Sequence, residues 1–326
     1  MKKLNKVLLA VFVILLFTII ITPHEAFNGT MLGLKLWAFT VLPGLFPAAL
    51  LSSIVLRIFP IKKSFIYSYI ILAGVLCGFP VGGILIAAYC RDNQSDPLLM
   101  RIMPLCNISS PSFMLNYVFT MSCFKDINIS TLLLCTYLPV FICLGILIFY
   151  EKIIYNSSSL QAIFISDNNH HSLQENLVSN KRKKKKKEQE QTYIEDKNNT
   201  IKINWCSIID EEMGRAVKNM LKLGGYIVIF SCVSNYIYNI YFIPELYRNL
   251  ACGIAEITNG IFYINNMQMP ITNKAILILA INAFGGISTL MQTVGIGREF
   301  VHIKKYICGK LLYVIVTILV AKILLG

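Results

Sequence analysis

Charged residues are what this sequence of 326 residues has least of: 14% are Asp, Glu, Lys or Arg, against 56% hydrophobic and a mean hydropathy of +0.62. An ordinary soluble domain carries about 25% charge, so a water-facing surface over the whole chain is excluded. Sequence patterns for covalent chemistry are also missing. There is no Gly-x-x-x-x-Gly-Lys-Ser/Thr loop to cradle nucleotide phosphates, which excludes ATP-driven work by this chain. Gly-x-Ser-x-Gly, His-Glu-x-x-His and a Cys/His nucleophile pair are absent too, so the chain reads as a non-enzyme. The ten cysteines form no Cys-x-x-Cys pair, and nine of them lie in or beside apolar stretches, as reduced packing residues do. His24, His170, His171 and His302 have no ligand spacing, so neither a metal nor another cofactor is expected.

Acid is the scarcer sign, and the formal charge is +13. Residues 156–204 hold nine Lys/Arg and six Asp/Glu, a net +3, and the remaining +10 is spread over loops and helix ends. Such a distribution fits cytoplasmic loops that fix a membrane topology, not a nucleic-acid surface.

What is present is a series of apolar runs near the spanning length of about 20 residues. They predict an all-α, polytopic helical membrane protein of about eight membrane segments, some broken or re-entrant. Lys2, Lys3 and Lys6 precede an apolar run at 7–21 that resembles a signal peptide, but no small-x-small site comes before Pro23. An uncleaved anchor helix over 1–22 is therefore expected. A first membrane half follows over 30–152, then a disordered, Lys-rich cytoplasmic linker over 153–206, then a second half over 207–326. The linker holds Lys181, Arg182 and the lysine run 183–187, has no apolar periodicity, and reads as a solvated tether or a contact for anionic lipid.

Glycine and proline interrupt these runs. Pro43 and Pro47 imply a kink in the second segment. Gly78-Phe79-Pro80-Val81-Gly82-Gly83 breaks the third, and Asn107-Ile108-Ser109-Ser110-Pro111 breaks the next. Full crossing by every run would put the basic linker outside; a re-entrant hairpin at 98–124 would return it to the cytoplasm, and that is the expectation here. In the second half the corresponding stretches are Glu256-Ile257-Thr258-Asn259-Gly260 and Phe284-Gly285-Gly286-Ile287-Ser288-Thr289-Leu290-Met291-Gln292. Similar inventories on both sides of the linker outline a two-fold internal repeat of the kind transporters use.

A broken helix frees backbone groups that lipid cannot solvate, and its half-helix ends attract polar solutes or ions. The candidate ligand site is therefore Asn107, Ser109, Ser110, Glu256, Thr258, Asn259, Ser288 and Gln292, with Gly82, Gly83, Gly285 and Gly286 allowing close backbone approach. Glu256 is the only acid well inside an apolar membrane segment. It reads as a proton or cation carrier or as a ligand acceptor; pairing with Arg248 or capping of a half-helix is the alternative. For the amides and hydroxyls the alternative is a helix–helix hydrogen bond, and for the glycines close helix packing.

These same four runs resemble the signature stretches of the YlbJ-type sporulation integral membrane proteins: Gly-Tyr-Pro-x-Gly-Ala, Asn-Asn-x-Ser-Pro, Glu-Ile-Thr-x-Gly and Phe-Gly-Gly-x-Ser-x-x-x-Gln, in this order. Phe79 stands where that pattern has Tyr, Gly83 where it has Ala, and Ile108 where it often has a second Asn. The resemblance covers the chain outside the first helix and the linker. It implies a bacterial endospore former, a multi-pass place in the bacterial cytoplasmic (inner) membrane, a role in spore formation, and membership of the wider nucleoside-recognition (Gate) domain group. The expected function is a transporter or channel-like carrier of a small polar solute; the alternative is a non-transporting membrane scaffold that organises spore-envelope assembly. Expected partners are the lipid bilayer and the solute, with a homo-oligomer or other sporulation membrane proteins also open.

Overall fold

Pro43 and Pro47 have no amide hydrogen to give, and the helix that carries them widens just before them. The computed structural model describes residues 2–58, 63–92, 96–165, 205–296 and 301–326, and among these it is helical throughout, without strands. Helix α1 (Lys2–Ile21) is followed by α2 (Pro23–Leu36), a π turn (Trp37–Val41) and α3 (Leu42–Ile58). The π turn, closed by the Leu42 amide on the Trp37 carbonyl, carries the chain past the prolines without ending the helix.

Next come α4 (Lys63–Cys77) and α5 (Val81–Asp92), then α6 (Pro97–Cys106), the single turn α7 (Pro111–Phe113), a second π turn (Met114–Val118) and α8 (Ile129–Ile165). The second half has α9 (Trp205–Tyr238), α10 (Glu245–Ala255), α11 (Ile257–Asn265), α12 (Ile271–Phe284), α13 (Gly286–Ile296) and α14 (Ile303–Leu325). Six stretches among the described residues are long and apolar enough to cross a membrane: Pro23–Ile58, Pro97–Val118, Ile129–Tyr150, Trp205–Tyr238, Ile271–Gly295 and Ile303–Leu325. The chain thus has the build of an integral membrane protein.

Two pairs of shorter helices fold back on themselves. A Cβ added to Gly74 on α4 or to Gly82 on α5 would fall 2.3 or 2.2 Å from one and the same atom, the Cys106 carbonyl oxygen. Both arms of that pair therefore press on the end of α6, with Gly78 (φ +81) and Pro80 at the tip. A Cβ on Gly260 of α11 would lie 2.1 Å from Gly253 Cα on α10, which makes α10–α11 a second hairpin with Glu256 at its tip. The fold-back geometry expected at 98–124 belongs instead to 63–92 and 245–265. Residues of Pro97–Val118 form a 22-residue interrupted helix. Glycines make the close approaches in both hairpins: Gly253 and Gly260 let the two arms of the second touch, Gly74 and Gly82 let both arms of the first press on Cys106, and 98–124 has no glycine.

Each half therefore runs in the same order: long helix, broken hairpin, interrupted helix, closing helix. Both halves belong to one compact unit, 1–146 with 209–326, and the described residues of 147–208 fall outside it. Helix α8 continues to Ile165, beyond position 153 where the sequence places the start of the linker. The expectation of disorder over 166–204, including the lysine run, lies outside the described residues. Within the first unit, Met114, Val118 and Phe124 pack with Ile257, Ile261, Ile264 and Ile278, so the interrupted helix of one half is seated on the hairpin of the other. Helix α14 packs on both α6 and α12, and α13 packs on α5.

Candidate functional site

Breaking a helix in an apolar interior orphans carbonyls and amides, each of which costs several kcal/mol if left alone. At the α6–α7 break three consecutive carbonyls are freed, and each finds a donor from a different element. Asn107 O accepts from Lys310 Nζ (2.6 Å). Ile108 O accepts from the Phe79 amide at the hairpin tip (2.7 Å). Ser109 O accepts from the Tyr137 hydroxyl (3.0 Å). In the second half, Thr258 O accepts from the Tyr117 hydroxyl (2.9 Å), and Thr289 Oγ1 donates to Gly285 O (2.7 Å). The breaks of one half are thus satisfied partly by the other, which draws all four together.

Where they converge lies a cavity of about 410 Å³. Its walls are the first π turn (Phe39, Thr40), the first hairpin tip (Phe79), the α6–α7 break (Ser110, Phe113), the second tip (Glu256, Thr258) and α13 (Thr289, Gln292). A volume within the ~300–1,000 Å³ of small-molecule pockets, apolar and aromatic with few polar groups, suits a compact ligand.

Glu256 is 2% exposed and sits at the N-terminus of α11. Its Oε2 accepts from the Asn259 amide (3.0 Å) and from the Thr258 hydroxyl. Removing a carboxylate from water costs several kcal/mol. Hydrogen bonds to a charged group contribute about 1.5–3 kcal/mol each, and a helix N-terminus up to about 2 kcal/mol. These oppose that penalty in part, and no cationic side chain pairs with Glu256 among the described residues. Arg248 faces elsewhere, over the Tyr238 and Tyr241 rings at 5.1 and 5.4 Å. Glu256 therefore caps a half-helix and lines the cavity at once.

Of the twelve residues named from sequence, Ser110, Glu256, Thr258 and Gln292 line the cavity. Gln292 is 2% exposed; its Nε2 donates to Ser288 Oγ (3.1 Å), while Oε1 has no partner. Ser288 thus serves as the second layer behind Gln292. Asn107 Nδ2 instead donates to Thr293 Oγ1 (2.6 Å) and the Tyr306 hydroxyl (2.9 Å), bridging the two halves. Ser109 does the same through Asn282 Oδ1 (2.6 Å). Asn259 reaches Ser231 O at 3.5 Å, away from the cavity. Gly82 packs on the Cys106 carbonyl, and Gly83 has 3.5 Å of room to Thr293 Cγ2. Gly285 and Gly286 hold φ of +84° and +77°, the left-handed turn that ends α12 and starts α13.

Lys310 is absent from the expected set. It is 2% exposed in the middle of α14, and its Nζ donates to Asn107 O (2.6 Å) and Ala283 O (3.4 Å). Those carbonyls end α6 and α12, so the ammonium meets the negative ends of two half-helices, one from each half. The Tyr306 and Tyr313 rings flank it at 6.0 and 5.7 Å. A lysine inside the closing segment, away from the lysines near its two ends, was the available signal. No family model, curated protein or solved structure matches the chain.

Proposed function

We propose that this chain is a carrier for a small polar solute, held at the meeting point of the two hairpins and the two interrupted helices. The observation that carries the reading is the buried Glu256 carboxylate facing a cavity of about 410 Å³ beside the unpartnered Oε1 of Gln292. An acceptor without a protein donor, Gln292 Oε1, on the same wall as the Glu256 carboxyl favours a solute that presents N–H or O–H groups. Phe39, Phe79 and Phe113 offer its apolar body a wall.

Topology supports alternating access. If each long stretch crosses once and each hairpin returns, every half contributes three crossings, an odd number, and the halves lie in opposite orientation. With the basic N-terminus inside, α1 and the first half bring the linker back to the cytoplasm, in keeping with its charge. The motif resemblance extends the reading to the cytoplasmic membrane of an endospore former and to a step of spore formation.

Gly44 tests the cavity directly. It lines the wall, and a Cβ there would meet only Ser112 Oγ at 3.6 Å. Gly44→Leu fills the space without removing a polar group or straining the helix. The reading predicts membrane levels equal to wild type and loss of complementation of a deletion strain, scored as heat-resistant spores; full complementation by the filled variant counts against it.

A further inference from the structure

Lys310 occupies a place that a free metal cation would otherwise suit: two carbonyls at helix C-termini, in a site closed to solvent, with no carboxylate in an ion pair with it among the described residues. The ammonium is tethered to α14 and cannot leave. The only species it can exchange is a proton. We propose that Lys310 is the proton-binding site of the carrier: the charged amine ties Asn107 O of the first half to Ala283 O of the second, and loss of the proton removes the charge that strengthens both hydrogen bonds and its attraction to the two helix C-termini, weakening the tie so that the two breaks separate more readily. The step is an acid–base equilibrium in which R–NH3+ gives R–NH2 and the proton passes to water reaching the amine from the cavity beyond Thr289, with no change of oxidation state. The inference rests on the carrier reading and names H+ as its coupling ion.

Geometry links this site to the cavity. A Cβ on Gly285 would stand 3.8 Å from Lys310 Nζ and 2.9 Å from Thr289 Oγ1, and Thr289 lines the cavity wall. One residue therefore separates the amine from bound solute. Other groups that titrate around Lys310 are few. Its own helix supplies Tyr306 and Tyr313. Helix α6 ends in Cys106, and α8 brings Tyr137 and Cys143 near Tyr313. The last two turns of α12 and the first two of α13 carry none. Glu256 is bound to Thr258 and Asn259 instead.

Hydrogen exchange read by mass spectrometry, on the full chain in lipid nanodiscs across pH and corrected for intrinsic rates, reports the tie itself. In wild type the amides at 108–114 and 284–289 should lose protection by about tenfold or more through one protonation step as pH rises. Lys310→Met should be flat and open, Lys310→Gln flat, and Lys310→Arg flat and protected. A flat wild-type profile, or a transition that survives in any of these variants, overturns the proposal. Should the variants fold poorly, wild type decides alone: carbon-13 at lysine Cε must show one lysine titrating at the same midpoint as the exchange step, and its absence overturns the proposal. These readouts need no solute, so they fail independently of the carrier reading, which stands or falls on Gly44→Leu.

Discussion

Two adjacent glycines on α5 separate packing from ligand contact. A side chain at Gly82 would collide with the backbone oxygen of Cys106 at 2.2 Å, and a carbonyl at a helix end cannot yield. Gly82→Ala should cost about 1–3 kcal/mol or more, the range for overpacking, seen as a lower melting temperature in detergent. At Gly83 the nearest atom is Thr293 Cγ2 at 3.5 Å, so Gly83→Ala should stay within about 0.5 kcal/mol of wild type. An equal drop for both would contradict the hairpin geometry. Sequence singled out both glycines but could not tell them apart, because the difference lies in a carbonyl more than twenty positions away. Glu256 was legible as an isolated acid in an apolar stretch; its capping of α11 was not, since a cap is defined only once the helix start is known. Lys310 was as visible as Glu256, yet a lysine near a basic loop reads easily as a topology signal.

At the scale of elements, glycine or proline stands at three of the four breaks, while the tip of the second hairpin at Glu256 has neither. The turn at Gly78-Phe79-Pro80, the α6–α7 break beside Pro111 and the left-handed turn at Gly285-Gly286 all follow from residues that cannot continue a helix. What was not legible was which broken segment folds back and which goes on. That choice depends on whether small residues on the two arms face each other, as Gly253 and Gly260 do, and facing is a property of three-dimensional register. The π turns at Trp37–Val41 and Met114–Val118 also escaped the sequence reading. Both border the cavity, through Phe39 and Thr40 in one and Asn116 in the other. Wide turns of this kind re-aim side chains into a site at the expense of regular hydrogen bonding.

For the whole molecule, the proposed topology of three crossings per half is one that a reporter fusion can read. Alkaline phosphatase, active only outside the cytoplasmic membrane, should be silent when inserted at 190 in the linker and active when fused after Gly326. Activity at both places, or at neither, would contradict opposed halves. The all-helical membrane class was legible from hydropathy alone, because about 20 apolar residues have few other uses. The joining of both halves into one compact unit was not, because it is made by side chains such as Asn107, Ser109 and Lys310 that reach across from one half to the other.

The central claim is that a buried carboxylate at the tip of the second hairpin works on a solute. Glu256→Gln keeps the shape of the side chain and an oxygen acceptor for the Asn259 amide (3.0 Å in the wild type) while removing the charge. Complementation of a deletion strain by this variant, with an immunoblot of membrane fractions, is the most direct test. The account predicts normal levels of full-length protein and loss of heat-resistant spores; wild-type sporulation by Glu256→Gln would contradict it and turn attention to a scaffold role for the linker.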